Sequence, residues 1–346
     1  MEIKMNNKKT TNSEIPIIIM SFLGTAVLVA IVITFFFVAG DFARGNDNNE
    51  TTRADIPVDV IPKSYIPITY SDTIRIESNE INGKNAILVN LNTNSVIAEK
   101  AADARIYPAS MTKVMTVLVA VEHIENLNDT FLMTADIIAP LISDNATRAG
   151  FIAGDEIPIM DLLYGAILPS GADATIALAR YVADSEEEFA KLMNQKAAEL
   201  GLTNTSFTNS SGLYDVNHYS TVRDIATIMA CAMDNSICKQ VLCANNYQLS
   251  VSSDTYAGGI LPNRWSTNLA GDEPSGVIVK GAKTGYEILA GHSMVSYAVS
   301  TDGKTEYILV TAAGEKLSSS TPERKYISGS MQPIYDLKYL YSKYAK

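Results

Sequence analysis

The chain has few of the residues that most often bind metals or form disulfides. It contains three His and three Cys in 346 residues. His123, His218 and His292 are far apart and do not have the spacing of a zinc site. The three Cys lie between positions 231 and 243, and this odd number with no His beside them favours buried structural thiols over disulfides or a nucleophile. We therefore expect no metal ion and no other cofactor.

Basic residues are also scarce, because 27 Lys and Arg stand against 38 Asp and Glu and give a formal net charge of -11. Nucleic-acid phosphates are bound by clustered Lys and Arg, so this charge argues against a nucleic-acid partner. No internal repeat and no low-complexity tract occurs along the chain. Hydrophobic residues make up 47% of the sequence, which is enough to bury a substantial core in one large domain or two modest ones.

One long uncharged segment, residues 15–40, stands out near the amino terminus. About 20 apolar residues in a helix cross the hydrocarbon core of a membrane, whereas the apolar region of a signal peptide has about 7–15 residues. The segment therefore predicts a single transmembrane anchor. The small residues Val38-Ala39-Gly40 at its end leave cleavage open as an alternative.

The flanks of this segment predict its orientation and the domain order. Three Lys precede it, and positive charge favours the cytoplasmic side of a membrane. We expect residues 1–14 to be a cytoplasmic tail, with everything after the anchor outside the cell membrane. Residues 41–74 are polar and contain several Pro, which is typical of an exposed linker, and residues 75–346 form the folded domain.

The first part of the folded domain has the pattern of a β-hairpin followed by helices. Ala86–Leu91 and Ser95–Glu99 are apolar-rich runs separated by an Asn-Thr-Asn turn. After Pro108 the apolar spacing becomes helical and stays so to about Cys243. The clearest helix candidates are Met160–Leu168, Ala172–Ala183 and Glu186–Leu200.

Strand character returns near the carboxyl end of the chain. Val277–Val279 leads into Lys283-Thr284-Gly285, and Ser293–Val299 and Glu306–Ala312 flank an Asp-Gly pair, a strong hairpin signal. The tail, Pro333–Tyr344, has helical spacing. Strands at both ends of a helical middle predict an α/β protein with one sheet assembled from distant segments and a helical subdomain.

Ser110 opens a predicted helix, and Lys113 follows it at a spacing that suits a nucleophile and its base. Residues i and i+3 lie on one face of a helix, so the Lys113 amine can approach the Ser110 hydroxyl. The helix dipole favours a developing alkoxide at Ser110, and burial lowers the pKa of an amine until it can act as a base. The spacing alone is weak, because Ser236 and Lys239 repeat it without matching context.

Lys283-Thr284-Gly285 stands at the end of a predicted strand. Extended backbone at this point can pair with a peptide as an added strand. The Lys supplies positive charge, the Thr a hydroxyl for a carboxylate, and the Gly allows close approach. Taken alone, the tripeptide is equally compatible with a simple turn.

Ser170 lies between these two motifs, just before a predicted helix. A Ser in that position is most often a helix N-cap. In this order and spacing, however, Ser110-x-x-Lys113, Ser170-x-Ala172 and Lys283-Thr284-Gly285 resemble the S-x-x-K, S-x-N and K-T-G set of penicillin-binding proteins and serine β-lactamases.

Two longer blocks extend the resemblance to about residues 76–316. Residues 87–113 are similar to the opening hairpin and nucleophile segment of this superfamily. Residues 189–213 and 217–226 resemble a stretch typical of the low-molecular-mass D-Ala-D-Ala carboxypeptidases. The resemblance implies a β-lactamase/DD-peptidase-like α/β fold, in which helices flank an antiparallel sheet of amino-terminal and carboxyl-terminal strands, and it makes residues 75–346 the catalytic domain.

The resemblance also implies catalytic roles for three side chains. Ser110 would attack the carbonyl between the two terminal D-Ala residues of a peptidoglycan stem peptide, and Lys113 would accept its proton. Ser170 would relay a proton to the leaving amine, and water would then hydrolyse the acyl-enzyme. β-Lactams would acylate Ser110 in the same way.

The remaining matched residues would bind the substrate. Lys283 would polarise the site, and Thr284 would hold the terminal carboxylate beside Gly285. The backbone N–H groups of Ser110 and Tyr286 would form the oxyanion hole. The resemblance thus implies a serine-type D-Ala-D-Ala carboxypeptidase on the outer side of a bacterial cell membrane.

One residue departs from the family pattern, since Ala172 stands where the family usually has Asn. That carboxamide normally contacts both the catalytic Lys and the substrate backbone, which a methyl group cannot do. Asp173 and Ala174 match the residues that usually follow, so the alignment is not shifted. We expect the enzyme to be active, because the other catalytic positions are intact.

Two alternatives and one ambiguity remain. A class A β-lactamase needs a Glu in a Glu-x-x-Leu-Asn pattern, but the nearest match, at residues 190–194, begins with Ala190. A penicillin-binding or peptidoglycan-sensing ectodomain without turnover would fit the loss of Asn at Ala172. Carboxypeptidase, endopeptidase and transpeptidase preferences are not distinguished by these residues.

Overall fold

Strands from both ends of the folded region form one six-stranded sheet at the centre of the molecule. The computed structural model describes residues 63–269, 273–314 and 332–345. The strands of the sheet are β1 (Ile74–Arg75), β2 (Asn85–Asn90), β3 (Ser95–Lys100), β8 (Val277–Glu287), β9 (Gly291–Ser300) and β10 (Glu306–Gly314). Their order is β1-β3-β2-β10-β9-β8, and every pair is antiparallel except β1 with β3.

The chain between β3 and β8 is mainly helical. Its helices are α1 (Thr112–His123), α2 (Ala135–Ser143), α3 (Ile159–Ile167), α4 (Ala172–Ala183), α5 (Glu186–Glu199), α6 (Val222–Asp234), α7 (Ser236–Leu242) and α8 (Arg264–Leu269). Two short antiparallel strand pairs lie among these helices, β4 (Thr130–Leu132) with β5 (Glu156–Pro158) and β6 (Asn246–Gln248) with β7 (Ile260–Pro262). A final helix, α9 (Gln332–Tyr344), follows the sheet.

The central strands are buried on both faces, which gives the fold three layers. Ile87 of β2 and Ile308 of β10 belong to the core shared with the helical subdomain. Their neighbours Leu88 and Leu309 belong to a second core on the opposite face, which includes Leu340 of α9. Strands that are buried on both faces read as continuous apolar runs rather than as alternating patterns, as these do. Truncating a fully buried residue such as Leu340 to Ala would cost about 2–5 kcal/mol.

Most of the expected elements are confirmed. The predicted hairpin is β2 and β3, the three best helix candidates are α3, α4 and α5, and the tail helix is α9. The predicted α/β fold, with one sheet of distant segments and a helical subdomain, is therefore correct. The Asp-Gly pair lies in the turn between β9 and β10, as the hairpin signal indicated.

The predictions for residues 1–74, a cytoplasmic tail, a transmembrane anchor and a linker, fall mostly before the part of the chain that the structure describes. The tail at residues 1–14 and the transmembrane helix at residues 15–40 lie outside the described residues. Within the described ranges, no helix combines the length and the apolar character needed to cross a membrane. Residues 63–74, assigned to the linker from the sequence, lie against the folded domain, where Ile68 forms a bridge with Ser95.

Candidate active site

Ser110 lies in a single 3-10 turn, Ala109–Met111, that leads directly into α1. Pro108 precedes this turn and has a backbone conformation already suited to a helix start. Ala109 has a φ of +46°, which costs a residue with a side chain about 1–3 kcal/mol and is typical of functional sites. Gly212 packs against this turn so closely that a Cβ there would lie 1.9 Å from the Ala109 carbonyl oxygen. The surrounding structure therefore holds Ser110, the predicted nucleophile, in a fixed and strained turn.

Lys113 is buried in the first turn of α1, with 3% of the residue exposed. Its Nζ lies 3.1 Å from Ser110 Oγ and donates a hydrogen bond to the Ser211 carbonyl at 2.5 Å. Burial lowers the pKa of Lys113 from 10.5 to about 7, although the carboxylates of Asp173 and Glu186 oppose the shift. A substantial fraction of this amine is neutral near pH 7, so it can accept the proton of the neighbouring hydroxyl.

A tight turn at residues 209–212 presents the Ser211 carbonyl to Lys113. The Asn209 side chain holds the turn, because its Oδ1 accepts hydrogen bonds from the N–H groups of Ser211 at 3.2 Å and Gly212 at 2.8 Å. A side chain that bonds the backbone two and three residues ahead is a common way to fix such a turn. The hydrogen-bond acceptor for Lys113 is thus part of a rigid backbone segment.

Two further side chains fix this turn from the helical side. Glu186, in the first turn of α5, accepts hydrogen bonds from the Ser210 N–H at 3.1 Å and from the Ser210 hydroxyl at 2.5 Å. The Thr116 hydroxyl donates to the Ser210 carbonyl at 2.6 Å. Glu186 therefore acts on Lys113 in two ways, through the position of the Ser211 carbonyl and through its own charge.

Asp173 is a buried carboxylate whose charge acts on Lys113. It accepts hydrogen bonds from the backbone N–H groups of Ala149 at 2.8 Å, Gly150 at 2.9 Å and Phe151 at 3.2 Å. Burial raises the pKa of Asp173, while these donors favour its charged form. The carboxylate ties the segment at residues 149–151 to the start of α4, directly after Ser170.

Ser170 lies in the link between α3 and α4 with a φ of +67°. The N-cap of α4 is Gly171, and no side chain caps this helix, so the N-cap interpretation of Ser170 is wrong. A strained Ser outside the helix is available for another role. Ala172 is the first residue of α4 and is 4% exposed, so a small apolar side chain occupies the position where the family usually has Asn.

The strand β8 is an edge strand of the sheet and passes next to the Ser110 turn. A Cβ on Gly285 would lie 3.2 Å from the Ser110 backbone nitrogen, so only Gly lets the strand and the turn approach so closely without displacement. Lys283 is buried, and its Nζ donates to the Thr284 carbonyl at 2.8 Å. Tyr286 is 58% exposed. The predicted K-T-G motif is thus beside the predicted nucleophile.

His218 lies buried beneath the site. Its Nδ1 accepts a hydrogen bond from the Thr208 N–H at 3.1 Å, and its Nε2 lies 2.8 Å from Thr112 Oγ1. Burial, together with the charge of Lys113, lowers the pKa of His218 to about 4. The imidazole is therefore neutral at pH 7 and donates its Nε2–H to Thr112. This contact places His218 in support of the start of α1.

The second Ser-x-x-Lys pair is on α7, in a different setting. Lys239 lies 3.5 Å from a Glu306 oxygen and above the ring of Tyr297. Cys238, between Ser236 and Lys239, is buried against the core, and burial raises the pKa of its thiol to about 12. In the part of the chain that the structure describes, no three His, Cys, Asp or Glu side chains cluster closely enough to hold a metal ion.

The structure places Ser110, Lys113 and the Gly285 segment in direct proximity, with Ser170 at the start of the element that carries Asp173. Sequence reasoning did not identify Glu186 or the Ser211 carbonyl as parts of this site. Ser211 contributes its backbone carbonyl, which every residue type has, so no residue type in the sequence could reveal this contact. The Asn209-Ser-Ser-Gly212 stretch, which lies in the block at residues 189–213 that resembles the D-Ala-D-Ala carboxypeptidases, is the sequence signal that points to this turn.

Comparison with known proteins assigns the chain to a family. A family model described as D-alanyl-D-alanine carboxypeptidase matches residues 72–314. The D-alanyl-D-alanine carboxypeptidase DacF of Bacillus subtilis is 39% identical over 147 residues, which cover 42% of this chain and 38% of that protein. The D-alanyl-D-alanine carboxypeptidase DacC of Escherichia coli is 30% identical over 270 residues, 75% of this chain and 64% of that protein.

A solved structure shows the same fold. The crystal structure of the Streptomyces K15 DD-transpeptidase superposes with a TM-score of 0.66 at 27% identity, and it covers 78% of this chain and all of that one. The chain thus spans about two fifths to two thirds of the length of the two curated relatives but the whole of this structural neighbour. The motif resemblance is confirmed: the chain belongs to the peptidase S11 family, the D-alanyl-D-alanine carboxypeptidases.

Proposed function

We propose that the chain is a membrane-anchored serine D-Ala-D-Ala carboxypeptidase, which removes the terminal D-Ala from peptidoglycan stem peptides. The observation that carries this proposal is the buried Lys113 amine, 3.1 Å from Ser110 Oγ and with a pKa of about 7. Among the described strands β8 lies at the edge of the sheet, and this edge beside Ser110 supplies the place for a peptide. The family membership supports the reaction class.

Acylation uses Ser110 and Lys113. The Ser110 oxygen attacks the carbonyl carbon of the penultimate D-Ala, and Lys113 takes the hydroxyl proton as the new C–O bond forms. The N–H groups of Ser110 and Tyr286 stabilise the oxyanion, a contribution of about 3–4 kcal/mol for each donor. The C–N bond then breaks, and Ser170 relays the proton from Lys113 to the leaving amine of D-Ala.

Hydrolysis completes the cycle. Water adds to the acyl carbon, its proton returns through Lys113 to Ser110, and the shortened peptide leaves with a new carboxylate. Lys283 supplies positive charge, while Thr284, beside Gly285, holds the terminal carboxylate of the substrate. β-Lactams present a similar acyl group and acylate the same serine.

The location of the enzyme follows from its amino-terminal sequence. Residues 15–40 anchor the chain in the bacterial cell membrane, residues 1–14 remain in the cytoplasm, and a linker from residue 41 leads to the extracytoplasmic catalytic domain. The stem peptide lies on that side of the membrane. Carbonate extraction of cell membranes tests the anchor: the full chain should remain in the pellet, and a chain lacking residues 1–40 should be extracted.

The test of the reaction is D-Ala release from a diacylated D-Ala-D-Ala peptide by the purified chain. We expect many moles of D-Ala per mole of enzyme, and none from Ser110→Ala. Penicillin labelling of Ser110 without peptide turnover would instead support a penicillin-binding sensor, the alternative that Ala172 favours. Nitrocefin hydrolysis faster than D-Ala release would support a β-lactamase.

A further inference from the structure

Three exposed apolar side chains lie at the edge of the sheet opposite β8. We call them the edge patch. They are Ile68, Tyr70 and Ile74, with 50%, 53% and 41% of the residue exposed. Ile74 belongs to β1, the outermost strand at this edge. A single apolar side chain on a surface is ordinary, whereas a group of them at one place indicates a surface that another body covers.

Backbone hydrogen bonds hold the edge patch against the sheet. The Ile68 N–H donates to the Asn94 carbonyl at 2.9 Å, and the Val96 N–H donates to the Ile68 carbonyl at 2.8 Å. A turn follows, in which the Thr73 N–H donates to the Tyr70 carbonyl at 3.1 Å and the Tyr70 N–H donates to Thr73 Oγ1 at 3.0 Å. The patch is therefore part of the folded edge.

The edge itself is poorly protected. Among the described strands, none pairs with the outer side of β1, which has two residues. Proteins usually cover such an edge or place charges along it, because it can pair with other chains. Asp72 and Arg75 are exposed within the same stretch and carry opposite charges. They leave the edge patch with little net charge and with its apolar surface open.

The place of the patch in the chain points to a lipid bilayer as the covering body. The described residues begin at Lys63, shortly before Ile68. In the proposed function, residues 15–40 anchor the chain and residues 41–62 link that anchor to the domain. A linker of about 22 residues keeps the domain at an effective concentration on the order of millimolar near the membrane surface. A contact with a millimolar dissociation constant is then formed about half of the time.

The side chains of the patch suit the boundary between lipid and water. Tyr is enriched at that boundary, because its ring prefers the apolar side and its hydroxyl the aqueous side. Ile68 and Ile74 add aliphatic surface that gains from burial among the upper acyl chains. The formal net charge of -11 gives no general attraction to anionic lipid, so the contact must depend on these apolar groups.

We propose that the edge patch rests on the outer surface of the cell membrane, with Ile68, Tyr70 and Ile74 inserted at the level of the lipid headgroups. This inference rests on the proposed function, because the anchor brings the domain to the membrane. The contact orients the active site. Strands lie about 4.8 Å apart, so six strands place β8 roughly 24 Å from β1, and the cleft beside Ser110 stays open to the cell wall.

The test uses the full-length chain in nanodiscs of phosphatidylcholine with brominated acyl chains, which quench tryptophan on contact. Tyr70→Trp places a probe in the patch, and the native Trp265, 5% exposed, is a background common to all variants. We expect the added fluorescence of Tyr70→Trp to fall by about half, as the effective concentration implies. Ile278→Trp, 42% exposed on β8, is the matched control and should keep its fluorescence.

Two further measurements assign the quenching to apolar contact. In the Tyr70→Trp chain, Ile68→Ser and Ile74→Ser should each reduce the quenching about threefold, with an unchanged thermal midpoint. Ile278→Ser should leave it unchanged. Raising the salt concentration, or replacing phosphatidylcholine by phosphatidylglycerol, should also leave it unchanged. Quenching that appears only with phosphatidylglycerol at low salt would overturn the apolar contact.

The remaining outcomes separate this contact from the anchor and from self-association. A chain that a carbonate wash removes from the discs would reject the anchor and, with it, the contact. A retained chain in which brominated lipid quenches Tyr70→Trp no more than Ile278→Trp would reject the contact alone. Protection of Tyr70→Trp from acrylamide that increases with the number of chains per disc, without quenching by lipid, would show that a second copy covers the patch and would also overturn the proposal.

Discussion

The candidate active site has two walls, one helical and one formed by a strand, and they differ in burial, in backbone strain and in what they offer a substrate. The helical wall consists of the Ser110 turn, α1, the start of α4 and the turn at residues 209–212. It holds buried Lys113 and Asp173 and two strained residues, Ala109 and Ser170. The strand wall consists of residues 283–289, with an open backbone edge and several exposed side chains.

This difference separates the tasks of the two walls. Burial changes proton affinity, so we expect the helical wall to set the rate and the pH dependence of the chemical step. An exposed strand edge changes no proton affinity, but it can orient a peptide through backbone hydrogen bonds and contact its side chains. Changes in the helical wall should therefore alter rate, and changes in the strand wall should alter peptide recognition or the fit between the walls.

The largest expected effect comes from Lys113→Met. Acylation by a fluorescent penicillin should slow about 10³-fold, because the base is lost. The thermal midpoint should rise by a few degrees, since the wild-type chain buries a group that prefers to be charged in water. Stopped-flow labelling and thermal unfolding measure the two effects. Labelling within tenfold of the wild-type rate would contradict the role of Lys113.

The pH dependence of stability gives a further check on Lys113→Met. The pKa of Lys113 is about 7 in the folded state, below its ordinary value of 10.5. Between these values the unfolded chain binds more protons, so wild-type stability should rise relative to the variant as the pH increases from 7 to 10.5.

Lys239→Met, in the second Ser-x-x-Lys pair, is the matched control for the acylation measurement and should leave penicillin labelling unchanged.

Gly285→Ala tests the contact between the walls. A Cβ at this position lies 3.2 Å from the Ser110 nitrogen, so the turn must shift by a few tenths of an ångström. We expect kcat for D-Ala release to fall about tenfold through this displacement of the nucleophile and its N–H. Ile278→Ala, exposed on the same strand, should retain full activity. An unchanged kcat in Gly285→Ala would show that the close approach is not required.

Ala172→Asn tests the missing carboxamide in the helical wall. A new hydrogen bond to the substrate is worth about 1 kcal/mol, so kcat for D-Ala release should rise about fivefold. Ala172→Ser, with a side chain too short to replace the carboxamide, should leave kcat near the wild-type value. An Asn variant with normal thermal stability and penicillin labelling but no faster turnover would show that this position does not limit the rate.

The smallest effect is expected from Glu186→Gln. The amide keeps an acceptor for Ser210 but removes the charge that raises the pKa of Lys113. In the wild type, kcat/KM should rise with pH around a midpoint near 7. In the variant this midpoint should lie about 0.5 pH units lower. Glu187→Gln, on the same helix with 83% of its side chain exposed, should not move it. A shift to higher pH would contradict the electrostatic role of Glu186.

The two walls also differ in how far they could be predicted from the sequence. The sheet that contains the strand wall has strong short-range signals in the sequence, and β9 and β10, which follow the wall in the chain, lie close to their predicted bounds. Once the start of the helix is known, helix geometry predicts that the side chains of Ser110 and Lys113 lie close together. The positive φ of Ala109 and the Ser211 carbonyl depend on packing between distant segments, and backbone atoms have no residue-type signature.

Glu186 shows the same limit for a side chain. In the sequence it is one of three acidic residues in the first turn of a helix, where such residues commonly interact with the helix dipole. Only the packing of α5 against the turn at residues 209–212 distinguishes it from Glu187 and Glu188. The burial that lowers the pKa of Lys113 likewise results from the whole helical subdomain rather than from its own motif.

The central claim is that Ser110 is the nucleophile of an acyl-enzyme and that Lys113 is its base. The most direct measurement is peptide mass spectrometry of the full-length chain after reaction with benzylpenicillin, for the wild type and Ser110→Ala. We predict one penicilloyl group on Ser110 in the wild type and none in the variant. An adduct on Ser170 or Ser236, or equal labelling of the variant, would contradict the claim.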